Sequence, residues 1–409
     1  MITLLRFPFR KSIGYCIHSS LFRFSSLTTC LQRSSSSLRT QITDPTEHAA
    51  IHEGLFYTVP QNDVNKLMYN NWMSPHEKNM NKTFQEFCIL IRRPALEMME
   101  ILKRMNYKYP LSRFLLYGEM NAGKKFTMTH VMHFCKNQNW VLLTVPWANE
   151  WNCKRLAVSY NSHKESLFDL PVHSKTLLED FLIKNTHLIK DFTTSARYEF
   201  SEQESSEEGV PLIDLVTFGI NRMKFANDVV GALLKELQNL ANSDKIKLLI
   251  TIRGINAFWR KTGQQKEKVK EIHAQQLTLV NQFMDLLQSD TKNAVAMCSV
   301  DSWLLYKNDR RLYLPTDLLG KEGIDFLEPF IPIEVTKYSE EEIQKVMDYY
   351  EDRRWIQQPE GRHIILIVFT LLSSSDLLLI IKNFRSLAQN THQTIHVSTL
   401  CHKLHPFAG

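Results

Sequence analysis

Short apolar runs alternate with helically spaced apolar positions through the middle of the chain. The runs have the length of buried strands and cover residues 114–117, 140–145, 247–252, 294–300 and 331–335. Apolar residues three and four apart predict helices over residues 94–105, 124–139, 175–188 and 211–240. Ser339 and Glu342 have the spacing of a capping box and predict a further helix through Tyr350. This alternation predicts an α/β fold with a parallel sheet flanked by helices.

The two ends of the chain follow other patterns. Residues 51–81 are mixed and rich in Asn, which predicts an arm without a core of its own. The C-terminal part is predicted to be helical. Its apolar run at 364–381 is long enough to span a bilayer, but three serines and Asp376 interrupt it. We therefore expect two buried helical pieces there and no membrane contact.

Composition and charge narrow the classes of protein. The 409 residues are 44% hydrophobic and 22% charged, which excludes a collagen, a disulfide miniprotein and a mostly disordered chain. The formal net charge of +6 resides in residues 1–43, so the remainder is neutral and does not favour a DNA or RNA partner. The seven cysteines form no C-x-x-C pair, which fits a reducing compartment and no zinc site.

The basic N-terminal segment has the composition of a targeting sequence. Residues 1–43 are rich in Arg and Ser and contain no acidic residue, and Ile13, Ile17, Leu21 and Phe24 fall on one helical face. This pattern is typical of a mitochondrial transit peptide and predicts a protein of the mitochondrial matrix. A disordered basic tail on a cytosolic protein is the alternative.

The sequence between the strand at 114–117 and the helix at 124–139 has the pattern G-x-x-x-x-G-K. Such a loop points backbone N–H groups and a helix N-terminus at a phosphate, and its Lys reaches the terminal phosphates. The predicted binding residues are Gly118, Glu119, Met120, Asn121, Ala122, Gly123, Lys124 and Lys125.

Both positions that would hold Mg²⁺ are basic. The loop should end in a Ser or Thr hydroxyl but ends in Lys125, and Thr127 lies about 200° further round the helix. The strand at 248–252 should end in an acid but is followed by Arg253. Two interpretations remain open. The two cations neutralise the phosphates without Mg²⁺, or the pocket has decayed and they face solvent or acidic neighbours.

Several segments in order resemble the death-associated protein three family, the GTP-binding protein of the mitochondrial ribosomal small subunit. They are RRPALE (92–97), LLYGE (115–119), HVMHFC (130–135), VVGALLKEL (229–237), GINAFW (254–259) and LLGKEGIDFLEPFIPI (318–333). The resemblance covers the chain from about His52 to Trp355. It implies a P-loop core of the AAA+ type with a C-terminal helical lid, bound among ribosomal proteins in the head of the small subunit. The family's loop ends in G-K-T and its second strand in Asp, so Lys125 and Arg253 depart from it.

The predicted organisation is a transit peptide (1–43), an N-terminal arm (44–93), a P-loop α/β nucleotide-binding domain (94–337) and a helical lid (338–409). We expect a structural constituent of the mitochondrial small subunit that contacts ribosomal proteins. GTP or GDP is its expected ligand, without Mg²⁺ and without hydrolysis. The alternatives are an active GTPase or ATPase switch in apoptosis signalling and an RNA-binding factor. Limited rRNA contact could come from the basic run 260–270, which is otherwise a solvated face.

Other residues have a structural and a functional interpretation. His130 and His133 are three apart but lack a third ligand, so core or surface histidines are favoured over a metal site. Ser299 and Asp301 end a predicted strand where AAA+ proteins place a polar sensor, although sheet ends are often polar. Trp147, Trp151 and Trp259 could anchor protein neighbours, and buried packing is the default.

Overall fold

The computed structural model describes residues 38–153, 158–161, 166–263, 272–304 and 312–356. The strands are β1 (Phe56–Val59), β2 (Phe87–Leu90), β3 (Ser112–Tyr117), β4 (Val141–Val145), β5 (Ser159–Tyr160), β6 (Phe168–Asp169), β7 (Tyr198–Glu199), β8 (Ser205–Ser206), β9 (Leu248–Arg253), β10 (Ala294–Ser299) and β11 (Ile331–Glu334). The α-helices are α1 (Gln61–Leu67), α2 (Pro75–Phe84), α3 (Arg93–Arg104), α4 (Lys124–Asn137), α5 (Pro171–Ile189), α6 (Leu212–Asn221), α7 (Ala226–Asn242), α8 (Thr278–Gln288), α9 (Pro315–Leu327) and α10 (Glu340–Asp352).

Some predictions fall outside these residues. They are most of the leader, the basic run from 264 onward, the apolar run 364–381 and the larger part of the predicted lid. In the part of the chain that is described, no helix is both long and apolar enough to cross a membrane.

The central sheet has five parallel strands in the order β11-β3-β10-β9-β4. Met297 of β10 lies opposite Phe114 on one side and Thr251 on the other. The five strands are those predicted from the apolar runs, so the predicted α/β fold with a parallel sheet flanked by helices is confirmed.

Both faces of the sheet are covered, which explains why its strands are continuously apolar. Phe114 and Leu116 point into a core that they share with α3 and α4. Leu115, between them, points into a second core, which it shares with helices α5 to α9. The period of two along each strand therefore divides the side chains between two separate cores.

The segment predicted as one helix over 211–240 is two helices. The backbone of Arg222 is not helical (φ −110°, ψ 69°), and a short 3₁₀ turn over Met223–Phe225 separates α6 from α7. The break stacks the rings of Phe218 and Phe225, with centroids 6.1 Å apart. Apolar spacing continues through the break because both helices face the same core.

The N-terminal residues contain elements that the sequence did not predict. Strands β1 and β2, with α1 and α2 between them in sequence, form a two-stranded antiparallel sheet, and Tyr57 and Trp72 are buried in the core of the α4 face. The indole of Trp72 donates to Thr129 of α4 over 2.8 Å. The other face of the two-stranded sheet packs on α10, whose predicted capping box between Ser339 and Glu342 is confirmed.

The two edge strands of the sheet, β4 and β11, differ in what limits further strand pairing. At β4, the amide of Asn185 on α5 accepts from the N–H of Leu142 and donates to its C=O, both over 2.8 Å, as a neighbouring strand would. At β11, Pro332 is exposed and has no N–H to offer.

A buried ion pair fixes α5 against β4 next to this contact. Lys184 donates to both carboxylate oxygens of Asp180 over 2.7 Å and to the hydroxyl of Thr144 over 2.5 Å. The hydroxyl of Thr144 in turn donates to Asp180. Both charged side chains are 1% exposed, so each depends on the other for its stability in the core.

We expect Lys184→Met to lower the free energy of unfolding by about 3–5 kcal/mol, because it leaves the Asp180 carboxylate buried without a cation. Lys175→Met on the same helix is the matched control. Lys175 pairs with Glu179 at the same spacing, but at the surface and over 3.8 Å, so its loss costs about 0.5 kcal/mol or less. Urea unfolding measures both, and equal losses would contradict the assignment.

Candidate functional site

Residues 118–125, here called loop 118–125, connect the end of β3 to the start of α4. The predicted site residues therefore lie together at a strand-to-helix junction. The next strand in the sheet is β10, and the connections that leave β3 and β10 run to opposite sides of the sheet. Such a switch in strand order is where open α/β sheets place their ligand sites.

The loop needs its two glycines. Gly118 has φ +141°, and a Cβ there would lie 2.1 Å from the carbonyl oxygen of Val335. Gly123 has φ +92°, and a Cβ there would lie 2.7 Å from the hydroxyl oxygen of Tyr338. Asn121 between them is also left-handed, with φ +68°. A side chain at either glycine would force the loop away from the segment that follows β11.

The Lys124 side chain lies on the inner side of the loop. Its ammonium donates to the carbonyl oxygens of Gly118 over 2.7 Å and Glu119 over 2.8 Å. Burial lowers the pKa of Lys124 to about 8. The charges of Asp301 and Glu119 oppose this shift, and that of Arg253 adds to it. The ammonium of Lys124, which is predicted to contact a terminal phosphate, is thus bound to the first two residues of the loop.

Lys125 points elsewhere. Its ammonium forms an ion pair with Glu77 of α2, and the two residues are 5% and 4% exposed. The other oxygen of Glu77 accepts from the N–H of Ser74 over 2.7 Å in the capping box of α2. The hypothesis that Lys125 neutralises phosphate is not supported by this geometry, because its ammonium is already paired with the Glu77 carboxylate. Lys125 instead faces an acidic neighbour, as the second interpretation requires.

Arg253 ends β9 and lies in register with Ser299 of β10. Ser299 in turn lies opposite Leu116 of β3, so Arg253 is at the same edge of the sheet as the loop, and its charge lowers the pKa of Lys124 and of Lys125 after the larger effect of burial. Its own pKa is lowered by burial and raised by the charges of Asp301, Glu77 and Glu150. Within the described ranges, no carboxylate lies at ion-pair distance from Arg253.

Asp301 follows β10, the strand next to β3, and its charge acts on Lys124. The indole of Trp147 donates to its carboxylate over 2.9 Å, and Asn256 exchanges two hydrogen bonds of 2.9 Å with its backbone. The sequence singled out Ser299 and Asp301 as the polar end of a predicted strand, but the order of strands in a sheet is not readable from apolar runs. The position of β10 between β3 and β9 could therefore not be predicted. The sensing role of Asp301 stays a hypothesis.

Arg92 is a site residue that the sequence did not single out. Its guanidinium is 4% exposed and donates to the carbonyl oxygen of Ala122 in the loop over 2.6 Å. It forms two bonds with the Glu342 carboxylate, of 2.7 and 3.1 Å, and one of 3.0 Å with the carbonyl of Thr336. It also stacks 4.2 Å from the ring centre of Tyr338. One side chain therefore joins the loop to the segment after β11 and to the start of α10.

The other candidates have structural roles. His130 and His133 are 1% and 0% exposed, and His130 is hydrogen-bonded to His48 over 2.8 Å. Burial lowers the pKa of His48 to about 4, so the pair is neutral near pH 7. No group of three or more possible metal ligands occurs among the residues described. Both histidines therefore lie in the core, and the expectation that they bind no metal stays a prediction. Trp151 is also buried, stacked on Phe258.

We expect Arg92→Met to raise amide hydrogen exchange in two separated segments, residues 118–125 and 336–342. Loss of the buried guanidinium leaves carbonyls of both segments without their Arg92 donors and the Glu342 carboxylate without its cation, which lowers local protection by about 3 kcal/mol, roughly a hundredfold in rate. Arg93→Met is the matched control, because its side chain is 74% exposed and pairs with Glu97 of its own helix. An unchanged exchange rate in either segment would contradict the joining role of Arg92.

Comparison with known proteins agrees with the resemblance noted from the sequence. A sequence model of the family described as "Mitochondrial ribosomal death-associated protein 3" matches residues 89–387. A Mus musculus protein named small ribosomal subunit protein mS29 is 34% identical over 325 residues, or 79% of this chain and 82% of the relative. The Bos taurus protein of the same name is 33% identical over 326 residues, or 79% and 81%.

These matches confirm the predicted family resemblance and the location in the mitochondrial matrix. The family model spans more than half of the chain, and so this protein belongs to the mitochondrial ribosomal death-associated protein 3 family.

Proposed function

We propose that this chain is a structural component of the small subunit of the mitochondrial ribosome and holds a guanine nucleotide that it does not hydrolyse. The ribosomal role is supported by the sequence identity of 34% and 33% to two proteins named as small ribosomal subunit proteins. The matches cover about four fifths of each chain. The partners would be other ribosomal proteins of that subunit, with limited rRNA contact. The predicted division into leader, arm, α/β domain and lid is part of this proposal.

We further propose that the α/β domain is a P-loop domain of the AAA+ type and that loop 118–125 holds the phosphates of GTP or GDP. Two features support it. The loop leads from a buried parallel strand into α4, so backbone N–H groups of the first helical turn face the junction. The positive φ angles of Gly118 and Gly123 allow the tight turns that such a loop requires. Lys124 would contact the terminal phosphates.

The absence of hydrolysis is inferred from the side chains around the loop. Phosphoryl transfer needs charge neutralisation by a metal and a group that positions the attacking water. Lys125 and Arg253 occupy the two positions where metal-holding groups are expected, and the Asp301 carboxylate accepts a hydrogen bond from Trp147. A bound nucleotide would then stabilise the fold by mass action.

The competing function is an active GTPase or ATPase that switches between states in apoptosis signalling. The proximity of Asp301 to Lys124 is the one observation that favours it. It predicts steady release of inorganic phosphate from GTP or ATP that Lys124→Ala abolishes. On our proposal, the purified protein releases no phosphate above the level of the Lys124→Ala variant.

The ribosomal role is tested by sedimentation of the endogenous protein from lysed mitochondria. We expect it to comigrate with the small subunit and to remain there after gentle removal of peripheral proteins. Recovery only in the soluble fractions would contradict the proposal. Extraction of the small-subunit fraction would at the same time identify the nucleotide that is bound.

The affinity for fluorescent GDP should fall as the pH rises above about 8. Lys124 has its pKa lowered from 10.5 to about 8, so it loses its positive charge in that range, whereas a normal lysine would keep it. One proton is involved, so the loss approaches tenfold per pH unit between the pKa of the free protein and the higher pKa of the complex, and the affinity levels off above the latter. Lys124→Arg keeps its charge and corrects for titration of the nucleotide itself. A wild-type profile that matches this variant would contradict the role of Lys124.

A further inference from the structure

The residues around loop 118–125 do not fit Mg²⁺. This ion takes six oxygen ligands at short distances, and in P-loop proteins a Ser or Thr hydroxyl and a strand-end acid help to hold it. Position 125 provides an ammonium that is turned toward α2, and the end of β9 provides a guanidinium. Neither position has an oxygen to offer from its side chain.

The carboxylates near the loop have protein partners. Glu77 pairs with Lys125 and accepts the N–H of Ser74. Glu119 pairs with Lys337 over 2.6 Å. Asp301, the remaining acid whose charge acts on Lys124, accepts from Trp147. A metal would have to displace one of these contacts before it gained a carboxylate ligand.

Charge also acts against a dication. Lys124, Lys125 and Arg253 lie close enough together that Arg253 lowers the pKa of both lysines. A divalent ion placed among these cations would be repelled by each of them twice as strongly as a unit charge at the same distance. The same cluster attracts an anion.

Arg253 differs from the two lysines in what it contacts. Lys124 donates to loop carbonyls and Lys125 is paired with Glu77. In the parts of the chain that are described, Arg253 has no carboxylate at ion-pair distance, although Asp301, Glu77 and Glu150 attract it. A guanidinium offers planar donors that match phosphate oxygens, and it cannot lose its proton at physiological pH.

We propose that the loop binds the nucleotide phosphates without a divalent metal, with the Arg253 guanidinium as the positive partner on the side where the metal would otherwise lie. The proposal rests on the nucleotide site of the proposed function. It assigns to Lys125 only the structural pairing with Glu77. The two basic residues at the expected metal-holding positions therefore have different roles. Arg253 binds phosphate, and Lys125 joins α4 to α2.

The test is equilibrium binding of fluorescent GDP by the full chain, in excess Mg²⁺ and in excess EDTA. We expect dissociation constants that agree within about twofold in the two buffers, and Arg253→Gln should weaken binding by about tenfold or more in both. Arg222→Gln is the control, because that side chain is 62% exposed at the end of α6. Arg253→Lys keeps the charge and should recover part of the affinity. Thermal unfolding checks that each variant is folded.

Each result decides a separate point. Binding that weakens by about tenfold or more in EDTA overturns metal independence and leaves the nucleotide site standing. Metal-independent binding that Arg253→Gln does not change overturns the role of Arg253. If GDP binds in neither buffer, both this inference and the proposed nucleotide site fail. Equal affinity in the two buffers, together with a loss in Arg253→Gln that Arg253→Lys partly restores, supports the proposal.

Discussion

The buried guanidinium of Arg92 is the constraint on which the arrangement of the site depends. A charge this far from solvent is tolerated only when it is paired and its N–H groups are hydrogen-bonded. Its partners come from two segments that are distant from Arg92 in sequence, the loop at Ala122 and the chain after β11 from Thr336 to Glu342. Neither segment can move far without leaving Arg92 or its own acceptor unsatisfied. The loop is therefore positioned by Arg92, which follows β2, as well as by the central sheet.

The cations of this protein show how similar side chains acquire different roles from their neighbours. Lys184 and Lys125 are both buried against a carboxylate and serve packing between elements. Lys124 donates to backbone carbonyls of the loop, and burial there lowers its pKa so that its charge becomes sensitive to pH. Arg253 stands at a strand end among carboxylates that attract it from a distance. Residue type alone would have given all four the same description.

The sequence predicted those parts of the fold where a local pattern of residues is compatible with a single type of secondary structure. The apolar runs became the five central strands, and the capping box at Ser339 begins α10. The two-stranded sheet of β1 and β2 was not predicted, because its residues are divided between two cores that they share with distant helices. The Asn-rich segment that contains Tyr57 and Trp72 therefore shows no periodicity. The break at Arg222 was missed because apolar spacing continues through it.

The site was predictable as a loop but not as a set of contacts. Glycine spacing located the strand-to-helix junction, since the turn itself needs those residues. The direction of Lys125 depends on Glu77, 48 residues earlier, and the partners of Arg92 lie up to 250 residues away. Such pairings are set by tertiary packing, which a single sequence does not display.

The two edge strands of the central sheet, β4 and β11, differ from ordinary exposed edges in the backbone groups that they offer to another strand. Asn185 occupies the hydrogen-bonding groups of Leu142 at one border, and Pro332 lacks a donor at the other. Unpaired borders are templates on which strands of other molecules can be added. Asn185 and Pro332 therefore reduce the number of backbone groups at which a second copy of the chain could add a strand.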